Sequence, residues 1–123
     1  MAQHGKVQLT FVIVAPQELA AEGDRLFASH GQWMKTHPRG GDKALLSYSV
    51  SKAPELSNPM DPGSAPTGKV VFVLTEVYET EAGVVNHFEQ ADSSWKDFPD
   101  VVEWMGKCSV TGTPAAPIIN SLW

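Results

Sequence analysis

The sequence has one cysteine, Cys108, so neither an internal disulfide nor a cysteine-built zinc cage is possible. A reducing compartment follows, and a cytoplasmic protein is expected. Long hydrophobic runs are missing as well. "FVIVA", residues 11–15, is far too short for a signal-peptide core or a membrane span, so no membrane association is expected. Positive charge is scarce: nine Lys and Arg stand against fourteen Asp and Glu, for a formal charge of -5. That balance argues against nucleic acid and anionic lipid as partners, because both require a basic face. No block of like charges and no solenoid repeat occurs. Nor is there a P-loop, a dinucleotide fingerprint or a nucleophile elbow.

What remains is a chain of 123 residues, 42% hydrophobic, which suits a single domain over residues 1–123 with one core. "KVQLTFVIVA" alternates and is β-branched, so it reads as a first strand, with Val7, Leu9, Phe11 and Ile13 on one face and Gln8, Thr10, Val12 and Val14 on the other. Pro16 then suits a first helical turn. Leu19, Gly23, Leu26, Phe27, His30 and Met34 recur at helical spacing between Gln17 and Thr36, with Trp33 on the flank. "HPRGGD" stops that helix, and "ALLSYSVS", residues 44–51, is a second strand.

Residues 52–69 read as a long loop, too polar and too rich in proline for a strand or helix interior. "VVFVLTEVY" is a third strand, apolar on both faces and therefore central. Thr80 can cap a second helix whose inner stripe is Val84, His87, Phe88, Ala91 and Trp95. A short helix starts at Pro99 and ends at Gly106, and "KCSVTGT" is the last strand. The tail, residues 114–123, leaves Ile118, Ile119 and Trp123 exposed unless something covers them.

The order strand, helix, strand, strand, helix, strand is satisfied by a ferredoxin-like α+β unit: four antiparallel strands with helices on one face. Val12, Val14, Val71 and Val73 make the second face apolar, and a second copy packed there would bury it, so a homodimer is expected.

"LLSYSV" (45–50) and "FVLTEVYETEAGVVNHF" (72–88) carry a further likeness. Residues 6–113 resemble the dimeric α+β barrel superfamily and, within it, the antibiotic-biosynthesis-monooxygenase type. The matching positions are Glu76, Tyr78, Thr80, Ala82 and His87: Glu-x-aromatic at the end of the third strand, a short turn, a small-residue helix start and a histidine. The family includes cofactor-independent oxygenases of phenols and quinols, haem-degrading enzymes, isomerases and proteins with no known reaction. The first strand lacks the asparagine expected of the haem-degrading members, so the resemblance implies no haem and no other cofactor.

The resemblance also implies a pocket between the sheet and the helices, lined by His87 and Trp95, by His30 and Trp33, and by Tyr48, Glu76 and Tyr78 from the strands. It would take a small aromatic molecule. An imidazole there can accept a phenolic proton, and the phenolate can pass an electron to oxygen. The alternative is a non-catalytic binding or structural dimer in which His87 only packs and hydrogen-bonds, with Glu76, Tyr48 or a ligand as partner. Glu76 can act as a base or orient a histidine, but it is expected to be a strand-end carboxylate, solvated or paired across the dimer. Tyr78 is expected to be a wall or dimer contact rather than a proton donor. Trp33, Trp95 and Trp104 are core residues first. No metal site is expected: His30 and His37 lie seven residues apart, ~10 Å along a helix. Cys108 reads as a packing residue.

Overall fold

In the computed structural model, which describes residues 3–122, the alternating stretch Val7–Ala15 is strand β1. Pro16 opens a 3-10 turn at Gln17–Leu19, and helix α1 follows over Ala20–Met34. Strand β2 spans Leu45–Leu56 and β3 spans Pro66–Tyr78. Helix α2 is Glu81–Ser94, α3 is Phe98–Met105, and β4 is Ser109–Pro117. The sheet order is β2-β3-β1-β4, antiparallel throughout, which is the expected ferredoxin-like arrangement.

One face of the sheet carries the core. Leu9, Ile13 and Ala15 of β1 and Val70, Phe72 and Leu74 of β3 are buried there against Leu26 and Phe27 of α1, Val84 and Ala91 of α2, and Val101 and Trp104 of α3. Gly23 lets α1 approach closely, because a Cβ there would lie 2.6 Å from Trp104 and 2.8 Å from Phe72. Thr80 caps α2 as expected: its Oγ1 accepts from the Ala82 N–H at 3.1 Å and donates to the Asp42 carbonyl at 2.7 Å. On the other face, Val12 pairs with Val73 and Val14 with Val71, all four partly exposed.

Several boundaries differ from the sequence reading. The hairpin between β2 and β3 is longer and its loop shorter, so only residues 57–65 lie outside the two strands. Pro54 and Pro66 do not break the pairing. Pro54 sits on the edge strand beside a register irregularity, and Pro66 is the first residue of its strand, two places where a missing N–H is tolerated. A second irregularity, between Leu45 and Ser47, lets Leu45 and Tyr48 both face the helices although three residues separate them. Strand β4 continues through Pro117, so the first part of the expected tail is sheet. Beyond it Ile119 is exposed, while Ile118 is half-covered and its N–H reaches the Lys6 carbonyl at 2.7 Å. Trp123 lies outside the described residues. On α2, Phe88 sits at the margin of the inner stripe rather than inside it.

Gly112 holds β4 against β1. Its φ is +124°, and a Cβ there would fall on the Thr10 carbonyl oxygen of the neighbouring strand. Gly112→Ala should lower the unfolding free energy by ~2 kcal/mol or more. Gly40→Ala, with nothing within 4 Å of the added carbon, should leave it unchanged in the same urea titrations.

Candidate functional site

Alternation along β3 puts Val70, Phe72, Leu74, Glu76 and Tyr78 on one face, the face that packs on the helices. Glu76 is therefore in the middle of the sheet, between Leu9 of β1 and Tyr48 of β2, with no exposed surface. This corrects the expectation of a solvated or dimer-paired strand-end carboxylate. The strand does not leave the core at its end: Tyr78 is buried as completely as Glu76. The Tyr78 hydroxyl donates to Glu76 Oε1 at 2.5 Å, so this tyrosine is a hydrogen-bond donor and neither a pocket wall nor a dimer contact.

Two helices bring imidazoles over the carboxylate. Gly83 allows the first turn of α2 to lie on Tyr78, since a Cβ there would be 2.7 Å from its ring. His87, about one turn further on, then points down at Glu76, with Nε2 at 3.7 Å from Oε1. From α1, His30 Nε2 lies 3.8 Å from Oε2. Both rings are anchored through the other nitrogen: His30 Nδ1 to the Tyr48 hydroxyl at 2.9 Å, and His87 Nδ1 to His37 Nε2 at 2.9 Å. The partner of His87 is thus His37, delivered by the loop after α1, rather than Glu76 or Tyr48. The spacing of His30 and His37 hid this role, because the chain leaves the helix between them and His37 approaches from the side of α2.

Neither histidine–glutamate contact is an ion pair. Burial holds both imidazoles neutral, His30 down at about 4 and His87 at about 3, with the neighbouring histidines adding to the effect. Burial also lowers the pKa of His37. The same desolvation pushes Glu76 up to about 7, and the Tyr78 hydrogen bond offsets only part of it. Tyr48 and Tyr78 are held well above the usual phenol range, chiefly by burial and then by the nearby carboxylate. Among the described residues, Glu76 Oε2 has no hydrogen-bond partner. One ligand atom each from His30, Glu76 and His87 lies within 4.8 Å of the others, close enough to face one small cation, although no metal site was expected from sequence.

A cavity of about 190 Å³ lies against the two imidazoles, between sheet and helices. His30, His87 and Trp95 line it, with Phe27, Leu74 and Phe88. Trp33, Tyr48, Glu76 and Tyr78 do not. Tyr48 and Glu76 contact the imidazoles, Tyr78 holds Glu76, and Trp33 stacks on Trp95 at 5.6 Å. The tryptophans are core residues as expected, and their N–H groups are all partnered: Trp33 to Ser94, Trp95 to Ser29 and Trp104 to the Leu19 carbonyl. Cys108 packs against the core as expected, its thiol donates to the Trp104 carbonyl at 3.3 Å, and burial raises its pKa. A shallower depression of about 420 Å³ near Gln17, Lys52 and Lys69 contains no histidine or carboxylate and carries no comparable chemistry.

No protein-family model matches the chain, and no curated protein matches it significantly. Solved structures do resemble it. A dimeric ferredoxin-like protein from an uncultured marine organism superposes with a TM-score of 0.60 at 11% identity, over 95% of this chain and 99% of that one. A provisionally assigned antibiotic biosynthesis monooxygenase from Deinococcus radiodurans gives a TM-score of 0.53 at 19% identity, with the same coverage. The likeness is one of fold, and it is the fold that the sequence resemblance implied.

Glu76 sets a pH test for the metal-free chain. Its folded value, about 7, lies above the unfolded 4.5, so its contribution favours folding at low pH and is lost as pH rises through 7. In chelator, the stability of the wild type relative to Glu76→Gln should fall by about 3 kcal/mol between roughly pH 4 and pH 8. A flat difference in urea denaturation across that range would show that the carboxylate is not desolvated.

Proposed function

We propose that the protein is a small oxygenase-type enzyme that binds a single-ring phenol or quinol in the imidazole-lined cavity and oxidises it with dioxygen. The observation that carries this is the size and lining of the cavity. About 190 Å³ is close to the ~150 Å³ that accommodates benzene in an apolar protein interior. Trp95, Phe27 and Phe88 offer faces and edges to a flat ring. Each of the two imidazoles keeps one nitrogen, Nε2, free of hydrogen bonds, and in this reading Nε2 is the acceptor for the phenolic O–H in otherwise apolar surroundings. The proton passes to an imidazole, and one electron passes from the ring to dioxygen. Recombination of ring radical and superoxide forms a C–O bond, and loss of water from the hydroperoxide leaves the quinone, so phenol plus O₂ becomes quinone plus H₂O. In this reading His87 and His30 contact the substrate and Trp95 stacks on it. Glu76, Tyr78 and Tyr48 position the imidazoles. The fold likeness to a provisionally assigned monooxygenase agrees with the reading.

Ala91 lines the cavity from α2 and is buried. Ala91→Leu should fill much of the space, abolish quenching of tryptophan fluorescence by catechol or hydroquinone, and stop oxygen uptake with these probes. The melting temperature should stay within a few degrees. Probe binding without oxygen uptake in the wild type would reduce the protein to a binding module, and no binding at all would remove the proposal.

We further propose that two copies join through the valine face of the sheet. The support is the row of partly exposed Val12, Val14, Val71 and Val73, together with the dimeric state of a structural neighbour. Val73→Lys should convert a dimer at micromolar concentration into a folded monomer by sedimentation velocity. A wild type that sediments as a monomer at that concentration would overturn the interface.

A further inference from the structure

The geometry points to a mononuclear site for a divalent transition-metal ion, held by His30 Nε2, His87 Nε2 and the Glu76 carboxylate. Three independent features converge. First, the three metal-facing groups are left bare while the opposite side of each is occupied. His30 is fixed through Nδ1 by Tyr48, His87 through Nδ1 by His37, and Glu76 through Oε1 by Tyr78. Among the described residues no hydrogen bond reaches Glu76 Oε2, and none is made by either Nε2. Outer partners that set the tautomer and orientation of each ligand are the usual support of a metal site.

Second, Glu76 is completely buried, and no lysine or arginine among the described residues pairs with it. Its neighbours within reach are two imidazoles, at 3.7 and 3.8 Å, and the Tyr78 hydroxyl, which leaves one carboxylate oxygen without a donor. A polar core built only for stability would be expected to satisfy both carboxylate oxygens.

Third, the spacing is right for a modest contraction. His30 Nε2 lies 3.8 Å from the bare Oε2, His87 Nε2 lies 3.7 Å from Oε1 of the same carboxylate, and one ligand atom from each residue lies within 4.8 Å of the others. The edges of a site with bonds of about 2.1 Å are about 3.0–3.4 Å, so each contact needs to close by about half an ångström. Two nitrogens and one carboxylate suit Fe(II), Mn(II), Co(II) or Zn(II). They are too few oxygens for Ca(II) and hold no thiolate for Cu(I). Three protein ligands leave positions open, and two of the three residues, His30 and His87, also line the cavity, so an ion held there would lie at its wall. The ion would therefore meet whatever the cavity holds.

Metal uptake does not depend on the oxygenase proposal, and it is measured with no organic molecule present. Full-length protein is dialysed against chelator and then titrated with Co(II). The expected result is one equivalent per chain, visible d–d bands without a thiolate charge-transfer band, and a higher melting temperature. Glu76→Gln and His87→Ala should each weaken Co(II) binding by ~100-fold or more, and Tyr48→Phe, which only orients His30, by ~10-fold. His4→Ala, far along the chain from the cluster, should change nothing. Absence of Co(II) uptake by the wild type would overturn the site, as would a thiolate band from Cys108 or unchanged affinity in Glu76→Gln. If the variants fail to fold, the wild-type stoichiometry and spectrum decide alone. Uptake without oxygenase activity leaves the metal site standing and removes only the phenol proposal. Activity that persists in metal-free protein does the reverse when uptake is absent.

Discussion

A carboxylate in the centre of an antiparallel sheet, with no lysine or arginine at hand, is the constraint around which the structure is arranged. Glu76 occupies a position that Leu or Val would fill at no cost, between Leu9 and Tyr48 and directly after Leu74 on the same face. Keeping it there requires a donor two residues along the same strand, Tyr78. It requires α2 to come close enough that position 83 must be glycine. It also requires the irregularity in β2 that turns Tyr48 inward to hold His30. Each of these local arrangements ends at the same carboxyl group.

Much of this was legible in the sequence. The alternation of Val7 to Ala15 and of Val70 to Tyr78 fixed the two central strands, and the Thr80 hydroxyl marked the start of α2. The helical spacing of His30 and His87 put both imidazoles on inward stripes, where they are. The environment of Glu76 was legible too but was misjudged: it has the same parity as Phe72 and Leu74, and parity decides the face more firmly than nearness to the strand end. His37 left no such signal. It lies in the irregular connection after α1, and only the return of that connection toward α2 brings it to His87. The extended hairpin was obscured by proline content, because proline penalises a central strand and not an edge.

The two faces of the sheet divide the work by composition. The helix-covered face mixes aromatic rings, imidazoles and one carboxyl group around a small cavity, while the opposite face is a plain row of valines bordered by Ser and Thr. The same strands β1 and β3 supply both, residue by residue in alternation. A change that slips their register by one position would therefore exchange the polar cluster with the valine row, so the long uninterrupted pairing of Val7–Ala15 with Val70–Tyr78 keeps both faces in place at once.

The prolines of the outer strands have a consequence for how copies of the chain can meet. Strands β2 and β4 form the two margins of the sheet. The first carries Pro54 and Lys52, and the second carries Pro114, Pro117 and the left-handed Gly112. Missing donors, charge and irregular backbone make both margins poor templates for an incoming strand. Open-ended growth into fibrils is thereby discouraged at each end, and a newly made chain can expose its valines to a sister molecule without inviting the stacking that leads to amyloid.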